Sequence, residues 1–157
     1  ILILALFQNM AILIQGACLL DVPVIWMEQL PEKLGTTVDE VSTHLKGQKP
    51  IEKDVFSCGK NDEFNARLSE INPDNVVLSG IETHICVYQT AVDLLKRNFN
   101  VEVAADATST RLGHNKEIGL EKIRRAGGEI TSVETFLFEI QGIAKGEKFR
   151  ELVKLVK

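Results

Sequence analysis

The stretch Asn75 to Thr90, NVVLSGIETHICVYQT, constrains the fold of this chain more than any other. Val76-Val77-Leu78 is an apolar run suited to a strand buried on both faces, and Ser79-Gly80 stops it before helical spacing takes over at about Thr83. A strand, turn and helix in this order put Cys86 in the first helical turn. There, unsatisfied backbone N–H groups and the positive end of the helix dipole favour thiolate over thiol and can hold a developing oxyanion. Burial as a small hydrophobe is the competing use of such a cysteine.

The remaining segments alternate in the same way. Ile1 to Leu6 reads as a buried first strand, Met10 to Leu20 as a helix, and Val22 to Met27 as a second strand with Pro23 tolerated at its start. The connection from Glu28 to Ser57 is irregular, with turn chemistry at Leu34-Gly35-Thr36-Thr37 and a short helix near Val38 to His44. A connection of that length is expected to wall a pocket. A helix over Asn61 to Ile71 stops at Asn72-Pro73, and Val101 to Ala105 supplies a strand ended by Asp106. Lys116 to Arg125 is an amphipathic helix stopped by Gly127-Gly128, and Glu129 to Thr131 a short strand. A helix runs from a Thr131 or Ser132 cap to Ile140, and a last one from Glu147 to Val156. Alternating strands and helices predict an α/β fold, a doubly wound Rossmann-like three-layer sandwich with a mostly parallel sheet. In such sheets ligands bind outside the carboxyl ends of the strands, which is where Cys86 falls.

The 157 residues are one domain's worth, with neither repeat nor low-complexity linker. A net charge of −4 gives no basic footprint for nucleic acid, and the apolar N-terminal run is too short to span a membrane. A small-molecule substrate or a protein partner is therefore expected, and the small-molecule substrate is preferred. Three cysteines, an odd number, do not make a disulfide framework, so free thiols and a cytoplasmic location are expected. Cys18 on its apolar helix reads as core, and Cys58 as a loop thiol near a pocket mouth. The chain has no Walker loop and no G-x-G-x-x-G opening a helix, and His44, His84 and His114 are too scattered for a metal site, so neither cofactor nor metal is expected. Trp26, Phe56 and Tyr88 are placed equally well for an aromatic pocket wall or for core packing.

With the run Gly80-Ile81-Glu82-Thr83-His84-Ile85-Cys86-Val87-Tyr88-Gln89-Thr90, the chain resembles the isochorismatase-like cysteine hydrolases, most of all the isochorismatase-domain-containing and mar-type proteins. Val22-Pro23-Val24, Glu28-Gln29, Leu34 to Thr37, Lys53, Phe56-Ser57 and Asp106 to Arg111 carry the resemblance along most of the chain. It implies a catalytic trio of aspartate, lysine and cysteine, with Cys86 on the nucleophile and Lys53 on the lysine. Standing between Glu52 and Asp54, Lys53 would otherwise read as a solvated surface residue. The resemblance further implies a cis peptide before the nucleophile's turn, here at Glu82 and Thr83, an oxyanion held by the N–H groups of Ile85 and Cys86, and a pocket drawing on Glu28, Gln29 and Phe56. It also implies self-association, to which the helix from Glu147 could lend an apolar face.

The aspartate is the exception. Counted back from Gln8, its place at the end of the first strand falls on Leu6, and no acidic residue precedes Asp21. The expectation is one domain over residues 1–157 whose N-terminal part is incomplete between the first strand and the first helix. A natural loss, leaving a binding or scaffolding protein, is the alternative.

Overall fold

A computed structural model describes residues 2–157, with side chains from Leu4 onward. Its layers are a parallel β layer between two sets of helices. The strands are β1 (Met27–Gln29), β2 (Ile51–Lys53), β3 (Asn75–Ile81), β4 (Asn100–Ser109) and β5 (Glu129–Thr131). The longer helices are α1 (Leu2–Leu19), α4 (Asp62–Ile71), α5 (Tyr88–Lys96), α6 (Gly113–Arg125), α7 (Val133–Gln141) and α8 (Glu147–Val156). Two short ones, α2 (Pro31–Leu34) and α3 (Asp39–Ser42), lie in the long connection after β1.

The strands pair in two groups, β1 with β2 and β3-β4-β5, all parallel. Alternate side chains of each group reach two common cores, because successive strand residues point to opposite faces. On one face Val101 and Val103 of β4 meet Phe64 and Leu68 of α4, Ala91 and Leu94 of α5 and Ile123 of α6, joined by Met27, Val76 and Leu78. On the other, Ala104 and Ala107 meet Leu13 of α1, Phe136 and Leu137 of α7 and Leu152 of α8, joined by Val22 and Val77. The sequence-based α/β three-layer expectation and most helix positions agree with this architecture.

The N-terminus does not follow expectation. Residues Leu2 to Leu6, read as strand, are the first turns of α1, and Ile1 lies outside the described residues. A short apolar run cannot by itself distinguish strand from buried helix, and Leu and Ala are strong helix formers. The join at Gln8 to Met10 is thus the interior of one helix. Leu6, Leu13 and Ala17 form its buried stripe, and Gly16 lets α7 approach so closely that a Cβ there would meet Leu137 Cδ1 at 2.5 Å. Cys18, expected in the core, is exposed, because it follows Ala17 by about 100° around the helix.

Other boundaries move for reasons of pairing. The expected strand Val22 to Met27 is a ladder only from Met27, and Ile51 to Lys53, not foreseen, is its partner. Among the described residues β3 pairs on one edge only, with β4, so Val76, Val77 and Leu78 are half-buried rather than enclosed on both faces. Strand β4 runs past Asp106 to Ser109, with a register shift opposite Leu78 and Gly80. Within that irregularity Asp106 accepts the Val133 N–H at 2.9 Å through Oδ1 and the Asn9 side chain at 2.9 Å through its carbonyl, tying β4 to α7 and α1. The apolar face of α8 is spent inside the chain: Leu152 is fully buried and Phe149 packs edge-on to Phe138.

Candidate active site

Lys53 closes β2, and in the parallel ladder its partner is Gln29, which closes β1. The two side chains meet on one face. Lys53 Nζ donates to Gln29 Oε1 and to the carbonyls of Val55, at 3.0 Å, and Phe56, at 3.1 Å. An ammonium has three N–H groups, so all are committed. Lys53 is 7% exposed, and none of the ion pairs among the described residues includes it. This is a buried cation solvated by neutral oxygens, not a surface lysine. A depression of about 230 Å³, lined by Leu30, Glu52, Lys53 and Asp54, opens beside it.

Glu28, between Met27 and Gln29, points to the opposite face. It is 7% exposed and its Oε1 accepts the Thr37 N–H at 2.7 Å, while the Thr37 hydroxyl accepts Trp26 Nε1 at 2.7 Å. Both side chains thereby pin the Leu34 to Thr37 turn rather than wall the pocket as expected for Glu28. Phe56 is exposed, beyond the carbonyl that Lys53 grips.

Cys86 is half-buried in a π-helical turn, Thr83–Val87, that leads from β3 into α5. Such turns are uncommon and recur at functional sites. The non-proline cis bond joins Ile81 to Glu82, one residue earlier than expected. Thr83, fully buried, anchors the turn: its Oγ1 lies 2.9 Å from both Thr108 Oγ1 and the Ser109 carbonyl, and the Thr108 hydroxyl donates to the Gly80 carbonyl at 2.6 Å. Behind it, α6 comes so near that a Cβ on Gly119 would sit 2.9 Å from the His84 backbone. Glu82 accepts the Arg111 N–H at 3.2 Å, and its carboxylate lies 3.4 Å from Arg111 Nε and 3.7 Å from His84 Nδ1. The Ile85 N–H, expected to hold an oxyanion, donates instead to the Glu82 carbonyl at 3.1 Å. A donor already used inside its own turn is not free for a ligand.

Cys58 joins the two halves. It begins a 3-10 turn, Cys58–Lys60, and its N–H donates to Thr90 Oγ1 at 2.9 Å. Thr90 follows Cys86 by four residues, so both lie on one side of the helical run. Burial pushes the Cys58 thiol above its ordinary value; the Thr90 hydroxyl and the Lys53 ammonium pull it down, while the nearby Cys86 adds to the rise. Cys58 thus lies within electrostatic reach of both Lys53 and Cys86. Sequence reasoning placed Cys58 only near a pocket mouth; the signal for more was its position five residues after Lys53, beyond the same strand. Among the described residues no carboxylate is bonded to Lys53. Leu6, where that group was sought, is buried in α1 and is not at a strand end.

Comparison with known proteins follows this geometry. A family model for the isochorismatase domain matches residues 3–135. A secreted isochorismatase effector of Phytophthora sojae is 38% identical over 150 residues, covering 92% of this chain and 71% of that protein. Isochorismatase domain-containing protein 1 of Danio rerio is 41% identical over 147 residues, 92% of this chain but 51% of the fish protein, so the chain spans about half that relative's length. Among solved structures, the MAR1 ribonuclease of Caenorhabditis elegans superposes with a TM-score of 0.90 at 34% identity, over 97% of this chain and 78% of that one. An octameric hydrolase of unknown specificity from Escherichia coli shares the fold, with a TM-score of 0.89 at 17% identity over 96% of this chain and 76% of that one. The family-model match over most of the chain and the identity to these relatives show that the chain belongs to the isochorismatase family, and the parallel α/β layer agrees with that.

Proposed function

We propose that this domain is a cysteine hydrolase of small-molecule esters or amides, with Cys86 as nucleophile. The observation that carries the reading is Lys53: burying a cation costs several kcal/mol unless its donors are satisfied, and here three neutral oxygens hold it past the end of β2, within electrostatic reach of Cys58, which Cys86 also reaches. Such a charge favours the thiolate form of a nearby cysteine. The Cys86 sulfur attacks the substrate carbonyl, the oxyanion leans on the Cys86 N–H, the leaving group departs, and water hydrolyses the resulting thioester.

With its N–H groups committed, Lys53 acts as a fixed charge and not as a proton carrier. Among the described residues no carboxylate bonds Lys53 to relay a proton to a leaving amine. Esters of acidic alcohols are therefore expected to react faster than amides. A protein that binds ligands without turning them over is the rival reading, favoured by the same lack of a carboxylate. The exposed apolar side chains of Phe56, Ile81, Leu112 and Ile118 support self-association, which light scattering at micromolar concentration checks.

The deciding experiment is mass spectrometry after exposure to p-nitrophenyl acetate. One hydroxylamine-sensitive acetyl group is expected on Cys86, none in Cys86→Ala, and alkylation of Cys86 by iodoacetamide at neutral pH is expected to slow about tenfold in Lys53→Met. Acetylation confined to the exposed Cys18, or an alkylation rate indifferent to Lys53, would sink the hydrolase reading.

A further inference from the structure

The hydrolysis just described gives Cys58 no task, yet the fold holds it beside the nucleophile. Its backbone N–H donates to the hydroxyl of Thr90 at 2.9 Å, and Thr90 is a residue 2% exposed that lies one helical turn beyond Cys86. Side chains four apart on a helix have Cβ atoms about 5–6 Å from each other, so Cys58 sits against the helix face that presents Cys86. A disulfide needs Cα atoms within about 4.4–6.8 Å. Contact with the neighbouring turn of the same helix puts Cys58 on the side from which that closure would be made. Both residues are half-buried.

We propose that Cys86 and Cys58 form an oxidative modification site, in which a hydroperoxide oxidises Cys86 and Cys58 closes the product into an intramolecular disulfide that reversibly removes the nucleophile. In the first step the Cys86 sulfur attacks the terminal peroxide oxygen. The O–O bond breaks, water or an alcohol leaves, and the sulfur, oxidised by two electrons, becomes a sulfenic acid. In the second the Cys58 sulfur attacks the Cys86 sulfur; the S–O bond breaks and hydroxide departs as water with the Cys58 proton. Burial raises the Cys58 thiol above its ordinary value, so it reacts with the peroxide more slowly than an ordinary thiol, and its attack on the sulfenic acid is favoured by its position against the same helix. A dithiol reductant restores both groups. The scheme rests on the reading of Cys86 as the reactive thiol.

The test treats the reduced full chain with hydrogen peroxide and reads intact mass and non-reduced tryptic peptides. Expected is a chain about 2 Da lighter, with the peptide holding Cys58 linked to that holding Cys86, reversed by dithiothreitol. Cys18→Ser is expected to behave like the parent. Cys58→Ser and Cys58→Ala are expected to lose the link and accumulate sulfinic acid on Cys86. Sulfenic or sulfinic acid on Cys86 of the parent chain without the link, or a link between two chains, overturns the proposal while leaving the hydrolase reading intact. A Cys86 inert to both peroxide and iodoacetamide overturns the two together.

Discussion

The two strand groups hold their reactive residues in opposite ways. On β1 and β2, Lys53 is enclosed and every donor is spent on Gln29, Val55 and Phe56. On β3 and β4, Cys86 sits half-buried at the start of a helix, and the fixing is done by residues around it: Thr83 and Thr108 beneath, Gly119 behind, Glu82 and Arg111 at the side. A charge that acts at a distance can be locked completely, because it need not move or touch the substrate. A nucleophile must reach a carbon atom, so its own side chain stays open while its backbone is held.

That contrast breaks most readily behind the nucleophile. Gly119→Val would drive a side chain into the His84 backbone and is expected to cost about 3 kcal/mol of stability and most of the Cys86 reactivity, read by denaturant unfolding and alkylation rate. Equal alkylation in the variant would show that the turn is not held from α6. Next comes Thr83→Val, isosteric but without the hydroxyl shared with Thr108 and the Ser109 carbonyl; a loss of about 2 kcal/mol is expected, with Cys86 alkylation altered. Gln29→Leu leaves one Lys53 N–H without an acceptor, and about 1–2 kcal/mol is expected to vanish while Cys86 keeps its reactivity within a few-fold. A large reactivity loss there would mean that the lysine moves when a single acceptor is removed, contrary to the locked picture.

The smallest effect lies away from the site, on the β4-β5 ladder. Glu102 faces Glu129 across the ladder, and burial first, then Glu139 and Glu129, raise its carboxyl above the ordinary range. The folded chain therefore takes up that proton before the unfolded one does. Stability from this group is present at low pH and lost as pH rises through the unfolded and then the folded value. Glu102→Gln is expected to gain about half a kcal/mol near pH 7 and to flatten that part of the profile, as thermal melts across pH would show. A variant less stable at neutral pH would contradict the like-charge account.

Legibility from sequence followed the range of the forces involved. The helices Asp62–Ile71, Val133–Gln141 and Glu147–Val156 were readable because their stripes, caps and stops are local: Asn61 caps one through Phe64 N–H at 2.9 Å, Ser132 another through Thr135 N–H at 3.1 Å. Residues Leu2 to Leu6 were misread because a short apolar run has no period of its own to separate strand from helix. The three-residue β2 was overlooked for a related reason, since its strand character comes from pairing with β1 and not from its own residues.

For the site, the order strand, turn, helix and the identity of Cys86 were written in Asn75 to Thr90, where local backbone preferences suffice to set a cysteine at a helix start. The candidacy of Lys53 needed the family resemblance, and its burial needed the fold, because nothing between Glu52 and Asp54 announces an enclosed cation. Which donors are free and which thiols are neighbours was decided by tertiary structure alone. The Ile85 N–H is consumed by Glu82, and Cys58 meets Thr90 across 32 positions of sequence, a contact that exists only once strands and helices have packed.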